Sequence, residues 1–211
     1  MIKPTTKALI AAGLLSASVA AQAGLSANIG AMSDYWFRGL NVNDGASMMG
    51  GIDYEADNGL YVGTWMASTN FEDDDLEYDL YGGYAGEAGD LSYSVGYAGY
   101  FYTKSDVDYH EVSLNLGYAF LNLETTFGTT DGLADEQDYT FIGLTAAYEG
   151  AYATYGDWSQ DADGDYFEVG YETSYEGLDM GVAAIFSDGG ASGYTTEGDT
   201  VTFYISKTFE F

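Results

Sequence analysis

Residues 91–101, Leu-Ser-Tyr-Ser-Val-Gly-Tyr-Ala-Gly-Tyr-Phe, decide the fold. Large apolar side chains share one face of this stretch and small ones share the other: Leu91, Tyr93, Val95, Tyr97 and Phe101 against Ser92, Ser94, Gly96 and Ala98. A period of two residues is that of a β-strand, because successive side chains point to opposite faces. The stretch therefore predicts a strand with one apolar face and one small, polar face.

The same alternation appears near both ends of the chain. Val201, Phe203, Ile205, Phe209 and Phe211 alternate with Thr202, Tyr204, Ser206, Thr208 and Glu210, while Leu25, Ala27, Ile29, Ala31, Tyr35 and Phe37 alternate with Ser26, Asn28, Gly30, Asp34 and Arg38. In a soluble β-sandwich the apolar face would cover a core, and in a membrane barrel it would face lipid. Alternation alone leaves both architectures open.

Connection lengths favour the barrel. About twelve strands are predicted, at 25–39, 48–56, 60–68, 76–85, 91–102, 108–120, 121–128, 138–148, 151–158, 166–175, 178–186 and 200–211. Short turns at 57–59, 86–90, 120–121, 149–150 and 176–177 alternate with longer connections at 40–47, 69–75, 103–107, 129–137, 159–165 and 187–199. Outer-membrane barrels alternate short periplasmic turns and long outer loops in this way. We therefore predict an all-β fold, a transmembrane antiparallel β-barrel of about twelve strands in an up-and-down meander.

The first 23 residues have the features of a secretory signal peptide. Lys3 and Lys7 precede an uncharged run from Ala8 to Ala20, and Ala21-Gln22-Ala23 fits an A-x-A cleavage pattern. The apolar run is shorter than the roughly 20 residues that a spanning helix needs. We expect residues 1–23 to be removed and residues 24–211 to form the barrel.

The charge balance excludes several classes of partner. After Ala23 the chain keeps three bases, Arg38, Lys104 and Lys207, against all 34 acidic residues, a net charge of −31. Nucleic acid and anionic lipid surfaces require clustered Lys and Arg, so neither is expected as a partner. The chain has no Cys, which excludes a disulfide scaffold or a thiolate site. No cofactor is expected.

The last strand ends on an aromatic residue, Phe211. A terminal aromatic on an alternating strand resembles the signal by which the barrel assembly machinery recognises its clients. An ordinary last strand that happens to end in Phe is the alternative. Together with the signal peptide and the alternating connections, Phe211 favours the outer membrane of a Gram-negative bacterium as the location.

One motif points to a family. Ser33-Asp34-Tyr35-Trp36-Phe37-Arg38-Gly39 resembles the S-D-Y-x-F-R-G signature of the TorF-like family of outer-membrane porins of proteobacteria. Residues 51–54, 59–65, 79–84 and 96–102 are similar to the strands that follow in that family, and the likeness is loose after residue 120. The chain departs from the family where Thr103 follows Tyr102, since the family often has Tyr-Pro there. The resemblance implies an outer-membrane barrel of porin type, and it does not imply a particular substrate.

Acidity is the strongest functional feature. By alternation a set of charged residues faces the lumen and forms the candidate pore lining: Asp34, Arg38, Asp53, Asp79, Glu111, Glu124, Glu168 and Glu172. Further acids crowd the long connections, among them Asp44, residues 72–75, Asp106, Asp131, Asp135, Glu136, Asp188, Glu197 and Asp199. Rings of carboxylates favour cations in a pore. Solubility in a salty habitat, or loops bridged to lipopolysaccharide by divalent cations, would explain the same acidity.

Two smaller features have competing interpretations. Arg38, the only Arg, fits a structural ion pair or a constriction that binds ligand. Asp161, Asp163 and Asp165, with Glu172 in the twelfth position, have the spacing of a Ca²⁺ loop, but Tyr166 replaces the glycine that the sharp turn needs. An acidic loop is the simpler explanation.

An enzyme is not expected. His110 is the only His and shares a face with Val112 and Leu114, whereas Ser113 lies on the opposite face, so no nucleophile has a base within reach. Aromatic residues near the predicted strand ends, Tyr35, Trp36, Tyr61, Trp65, Tyr102 and Trp158, are interpreted as interfacial girdles, with sugar stacking as the alternative.

Lumen width decides the function. Barrels of about eight strands are filled by side chains and porins of 16–18 strands hold a channel. Gly, Ser, Ala and Thr on the lumen face favour an open pore, while Tyr81, Tyr109, Tyr166 and Tyr204 favour a filled one. We expect a porin for passive diffusion of small hydrophilic solutes, with a possible preference for cations. The alternative is a non-conducting structural or surface-binding barrel. In either case the expected partners of the protein are outer-membrane lipid, lipopolysaccharide and the barrel assembly machinery, and the porin would also take small hydrophilic solutes.

Overall fold

The computed structural model describes residues 24–69, 75–133, 135–190 and 198–211. The predicted signal peptide, residues 1–23, lies outside the described residues, as do the loop acids Glu72, Asp73, Asp74 and Glu197. The described chain forms fourteen β-elements: β1 Gly24–Met32, β2 Tyr35–Phe37, β3 Leu40–Asn43, β4 Ser47–Glu55, β5 Leu60–Thr69, β6 Asp75–Ala88, β7 Leu91–Tyr102, β8 Asp108–Tyr118, β9 Leu121–Asp131, β10 Gln137–Tyr148, β11 Ala151–Gln160, β12 Asp163–Tyr175, β13 Leu178–Gly190 and β14 Gly198–Glu210.

Twelve of these strands close into one antiparallel barrel. From β4 to β14 each strand pairs with the next in the chain, and β1 closes the ring by pairing with both β4 and β14. The predicted twelve-stranded meander is confirmed. Closure matters because an open edge in hydrocarbon would leave unpaired N–H and C=O groups at a cost of several kcal/mol each. No helix in the described part of the chain is long and apolar enough to cross a membrane.

The first predicted strand, 25–39, is wrong in its second half. β1 ends at Met32 after nine residues, close to the 9–11 that a tilted strand needs to span a bilayer. Residues 35–43 instead form a separate hairpin of β2 and β3. Its two turn residues, Arg38 and Gly39, have φ of 48° and 79°. A tight hairpin needs positive φ at both central positions, and this turn provides it.

The short turns lie close to their predicted places. Glu149-Gly150 and Glu176-Gly177 both have positive φ at two successive residues. The predicted turn at 120–121 is shifted by one residue, because β8 ends at Tyr118 and β9 begins at Leu121. Ala119, with φ of 55°, is the first turn residue there. The end of the barrel that carries these turns is called the short-turn end below, and the opposite end the long-connection end.

The outer surface of the barrel is an apolar band. Leu80, Ile142 and Phe203 are each about half exposed in the middle of their strands. Large aromatic residues surround the short-turn end on this surface: Tyr54, Tyr84, Tyr118, Phe120, Tyr148 and Tyr175. Apolar residues outside, polar residues inside and aromatic girdles at the rims are the pattern of a membrane-spanning barrel.

The six aromatic residues predicted to form girdles lie inside the barrel instead. Tyr35 and Trp65 pack together at 5.6 Å between ring centroids, and Trp36 and Trp158 belong to one interior cluster. Tyr61 packs against a second interior cluster, and Tyr102 is buried. The prediction failed because position near a strand end was given more weight than the side of the strand. Trp158, for example, has the same parity as the lumen-facing residues Thr154 and Gly156.

Candidate functional site

The hairpin of β2 and β3 folds into the lumen from the long-connection end. It leaves the barrel after Met32 and returns at Ser47, and these two residues pair across β1 and β4. The Asn43 amide donates a hydrogen bond of 2.7 Å to the Ser47 hydroxyl at the base of the hairpin. Arg38 at the tip contacts Thr126, in the middle of β9. The hairpin therefore reaches about half the depth of the barrel.

Arg38 is fixed at this depth by two carboxylates on neighbouring strands. Its Nη1 donates to Glu111 Oε1 on β8 at 2.8 Å, and its Nη2 pairs with Glu124 Oε1 on β9. Nη2 also donates to the Thr126 hydroxyl at 3.2 Å. The side chains of Arg38 and Glu111 are each only 2% exposed. A buried base flanked by two acids fastens the hairpin tip to the opposite wall.

Aromatic rings enclose the same guanidinium. Its central carbon lies 4.6 Å from the ring centroid of Phe37, 4.7 Å from that of Phe141 and 5.9 Å from that of Trp158. The Trp158 indole also donates a hydrogen bond of 3.0 Å to the Arg38 carbonyl oxygen. Cation–π contacts strengthen where water is excluded, so the rings add to the ion pairs.

Gly39 is required where the tip meets the wall. A Cβ at this position would lie 2.6 Å from Cβ and Cγ of Tyr166, which is nearer than real Cβ atoms approach. Its φ of 79° is also in the region that favours glycine. The Arg-Gly turn thus combines the side chain that binds the wall with the residue that permits close approach.

Tyrosine hydroxyls satisfy most of the carboxylates in the lumen. Tyr100 and Tyr139 donate to Glu111 at 2.8 and 3.0 Å, and Tyr35 donates to Glu77 at 2.7 Å. The remaining pairs are Tyr152 with Glu168 at 2.5 Å, Tyr204 with Glu172 at 2.9 Å, and Tyr81 with Asp53. The tyrosines on the lumen face therefore fill space and also orient the acids.

The predicted pore-lining residues fall into three groups. Arg38, Glu111 and Glu124 meet at the hairpin tip. Asp53 and Glu172 line the half of the lumen toward the short-turn end, where their side chains are partly exposed, and Glu168 is buried. Asp34 lies at the long-connection end and accepts hydrogen bonds from Ser33 at 2.5 Å and Thr200 at 3.1 Å.

Asp79 differs from the other acids. It is fully buried, and neither of its carboxylate oxygens has a hydrogen-bond partner among the described residues. The hydroxyl of Tyr61, on the adjacent strand β5, is likewise buried without one. A buried polar group without a partner is costly, so this is the least satisfied position of the lumen.

Sequence analysis missed several residues of this site. Glu77 is 2% exposed and lies on the same face as Asp79, two positions away, so the alternation that identified Asp79 could have identified it too. Phe37, Phe141 and Trp158 could not be assigned to Arg38 from sequence, because barrel closure alone brings them around it.

The spacing that suggested a Ca²⁺ loop does not produce one in this structure. Asp163 and Asp165 lie on β12, whose extended backbone separates them, and Asp161 accepts a hydrogen bond from the Asp138 amide at 3.0 Å. Within the described ranges, no group of three or more His, Cys, Asp or Glu side chains is placed to share a metal ion.

His110 lies on the outer face, where alternation predicts it. Its Nδ1 is 2.7 Å from the Tyr97 hydroxyl, and its ring stacks on that of Tyr97. Ser113 is buried on the opposite face and hydrogen-bonds Thr126 at 2.7 Å.

A cleft of about 50 Å³ separates the hairpin from the barrel wall at the long-connection end. Tyr35, Phe37, Leu40 and Val42 form the hairpin side. The wall side and rim comprise Glu77, Tyr100, Tyr102, Tyr109, Glu111, Thr130, Gln137, Asp138, Tyr139, Trp158, Asp161 and Ala162. Because one water needs about 10–15 Å³ of such space, the cleft holds a few waters or a small solute.

The lumen has one sign of charge apart from Arg38. Of the other two bases after residue 23, Lys104 lies in the connection between β7 and β8, and Lys207 shares the outer face with Phe209, whose ring centroid is 5.7 Å from its Nζ. Carboxylates thus dominate the described lumen, and their field raises the local concentration of cations.

The barrel has an apolar outer belt and an acidic lumen, and a folded-in hairpin narrows the lumen. These features define a porin-like β-barrel. The chain belongs to the family described as "Bacterial protein of unknown function (Gcw_chp)", which matches residues 16–210. The TorF-like label remains a resemblance based on residues 33–39. None of the curated proteins that were compared matches the chain.

Solved porins share the fold. The chain is similar to the KdgM porin, with a TM-score of 0.58 at 7% identity over 88% of this chain and 99% of that one. The KdgM porin in complex with disordered oligogalacturonate gives the same TM-score and coverage at 8% identity. The outer membrane protein opdK from Pseudomonas aeruginosa matches with a TM-score of 0.44 at 10% identity, covering 89% of this chain and 67% of that one. At these identities the likeness concerns the fold alone.

Proposed function

We propose that this protein is an outer-membrane porin of Gram-negative bacteria, of the TorF-like type, for the passive diffusion of small hydrophilic cations and neutral solutes. One observation carries the proposal: carboxylates line the lumen from the short-turn end to the cleft, and in the described part of the chain Arg38 is the only base set among them. A carboxylate-lined pore favours cations and repels anions. The hairpin tip is the constriction in this proposal.

The constriction limits the size of the solute. The hairpin and the aromatic rings around Arg38 occupy the lumen toward the long-connection end, and a cleft of about 50 Å³ lies between the hairpin and the wall. Oligogalacturonate, present with KdgM in one of the similar structures, is a polyanion, and acids of the same sign would repel it here. We therefore propose small solutes rather than acidic saccharides.

A second candidate is a non-conducting barrel. The exposed fraction is 2% or less at Glu77, Asp79, Glu111, Thr126 and Phe141, so the middle of the barrel is buried like a soluble core. In that case the hairpin would be a permanent plug, and the protein would serve as a structural or surface-binding element of the membrane.

Ion current tests the two candidates. Purified protein, shown by circular dichroism to be folded, is inserted into a planar bilayer with a KCl gradient across it. The porin proposal expects discrete current steps with a reversal potential on the cation side. Folded protein that inserts and stays silent would contradict the proposal and favour the plugged barrel.

Charge variants then test the lining. The double variant Asp53→Asn with Glu172→Gln removes two carboxylates from the half of the lumen toward the short-turn end and should move the reversal potential toward zero. Asp57→Asn, at an exposed position of a short turn, is the matched control and should leave it unchanged. Equal effects of both changes would show that the lumen acids do not set the selectivity.

A further inference from the structure

The cleft between the hairpin and the wall combines aromatic walls with negative charge. Tyr35, Phe37, Tyr109 and Trp158 contribute ring surface, and Glu77, Glu111, Asp138 and Asp161 contribute carboxylates. Arg38 pairs with Glu111 alone among these four acids. The cleft therefore keeps an excess of negative charge beside rings whose faces attract cations.

An acceptor in the cleft lacks a donor. The side-chain carbonyl oxygen of Gln137 is buried and has no hydrogen-bond partner among the described residues. The Gln137 main-chain N–H donates to the Thr130 hydroxyl at 3.2 Å, which fixes the residue at the cleft wall. A ligand that donates an N–H would satisfy this oxygen, and leaving it unsatisfied costs about 1–3 kcal/mol.

Tyrosine hydroxyls that line the cleft hold two of its acids, Glu77 and Glu111, in place. Tyr35 donates to Glu77, and Tyr100 and Tyr139 donate to Glu111. These donors fix the positions of the carboxylate oxygens. A cation that enters the cleft would meet a site whose geometry already exists, which lowers the ordering cost of binding.

We propose that the cleft binds small protonated amines. The ammonium group would donate to the Gln137 carbonyl oxygen, lie near the Glu77 carboxylate and contact the aromatic faces, and a short alkyl chain would cover the hairpin residues Leu40 and Val42. An organic cation uses the rings, the charge and the orphan acceptor together. A hydrated inorganic cation uses only the charge, and a neutral alcohol uses only the rings and the acceptor.

The cleft also explains the limit on size. With about 50 Å³ of space, the cleft suits an ammonium group that carries a few carbon atoms. The role of such binding in transport rests on the porin proposal, since a weak site at the constriction would select the cations that pass. The binding itself does not depend on conduction.

Isothermal titration calorimetry of residues 24–211 in detergent micelles tests the proposal, and it does not require a measurement of ion current. The probes are n-butylammonium chloride, tetramethylammonium chloride, 1-butanol and sodium butyrate at neutral pH. We expect saturable binding of butylammonium, weaker binding of tetramethylammonium because it has no N–H, and no binding of butanol or butyrate. Butanol binding as tightly as butylammonium, or tetramethylammonium equalling it, would overturn the proposal.

Variants locate the site. Glu77→Gln keeps the shape and the acceptor for Tyr35 but removes the charge, and Gln137→Met removes the orphan acceptor. Each should weaken butylammonium binding by about tenfold, the effect of one desolvated contact to a charged group. Asp57→Asn, outside the cleft, should bind like the unaltered protein. If neither cleft variant changes the affinity of folded protein, the amine site is wrong, whatever the bilayer experiment shows about conduction.

Discussion

At the scale of single residues, Arg38 governs the interior. Its guanidinium contacts Glu111 and Glu124, and aromatic rings shield these contacts from water. Removing one partner of a buried ion pair leaves the other charge unpaired, which costs more than the pair itself contributes. The stability of the lumen therefore depends on this one base.

Arg38→Met should destabilise the folded barrel by about 3–5 kcal/mol, because it leaves the carboxylates of Glu111 and Glu124 buried without their base. Urea unfolding in lipid vesicles, followed by tryptophan fluorescence, measures the change. Lys207→Met removes a base from the outer face and should change stability by less than about 0.5 kcal/mol.

The triple variant Arg38→Met, Glu111→Gln and Glu124→Gln should recover much of the loss, since it removes the stranded charges. Equal destabilisation by the single and triple variants would indicate that the ion pairs do not hold the tip, and that packing of the Arg38 side chain does.

At the scale of elements, the hairpin of β2 and β3 is separate from the barrel ladder. Its two strands pair only with each other, and its contacts with the wall are made by side chains and by the Trp158 hydrogen bond. β1 and β4 pair along nine residues without its help. The barrel should thus fold without the hairpin.

Replacing residues 34–45 by a short Gly-Asn-Gly connection should raise the single-channel conductance several-fold, because the tip no longer narrows the lumen. The folding control is heat modifiability: a folded barrel migrates differently in SDS electrophoresis before and after the sample is heated. A variant that is folded but conducts like the unaltered protein would show that the constriction lies elsewhere. Current from this variant alone, with silence from the unaltered protein, would identify the hairpin as a plug.

At the scale of the whole molecule, the barrel has an apolar outer surface that suits only a lipid environment. Ile142, in the middle of β10, is 46% exposed, and Leu60, at the first position of β5, is 52% exposed. Both are outward-facing, and they differ in depth. The cost of a charge on this surface should depend on that depth.

Ile142→Arg should destabilise the folded barrel in a bilayer by about 2–4 kcal/mol. Leu60→Arg should destabilise it by only about 0–1 kcal/mol, because an arginine near the rim reaches the interface. Reversible urea titrations in lipid vesicles measure both values. Equal costs at the two positions would argue against a membrane midplane at the level of Ile142.

The sequence did not separate the hairpin of β2 and β3 from the first strand or place the six predicted girdle residues inside, but it determined the number of barrel strands and the alternation of most of their side chains. These properties are local, because alternation depends on neighbours in the chain and turn chemistry on two or three residues. Asp79, Glu111 and Glu168, which alternation predicts to face the lumen, are buried in the barrel. The first predicted strand, at fifteen residues, is longer than the 9–11 that a span needs, but β6 has fourteen residues and stays in the barrel, so length alone did not mark the hairpin.

Only the tertiary structure decided what the inward side chains do. Arg38 meets Glu111 and Glu124 across 73 and 86 residues of sequence, and Trp158 meets the Arg38 carbonyl across 120. Such contacts depend on closure of the ring and on the hairpin folding back into it, and no local pattern encodes either. The amine cleft is likewise a product of closure, because the hairpin forms one of its walls and strands from β6 to β11 form the other.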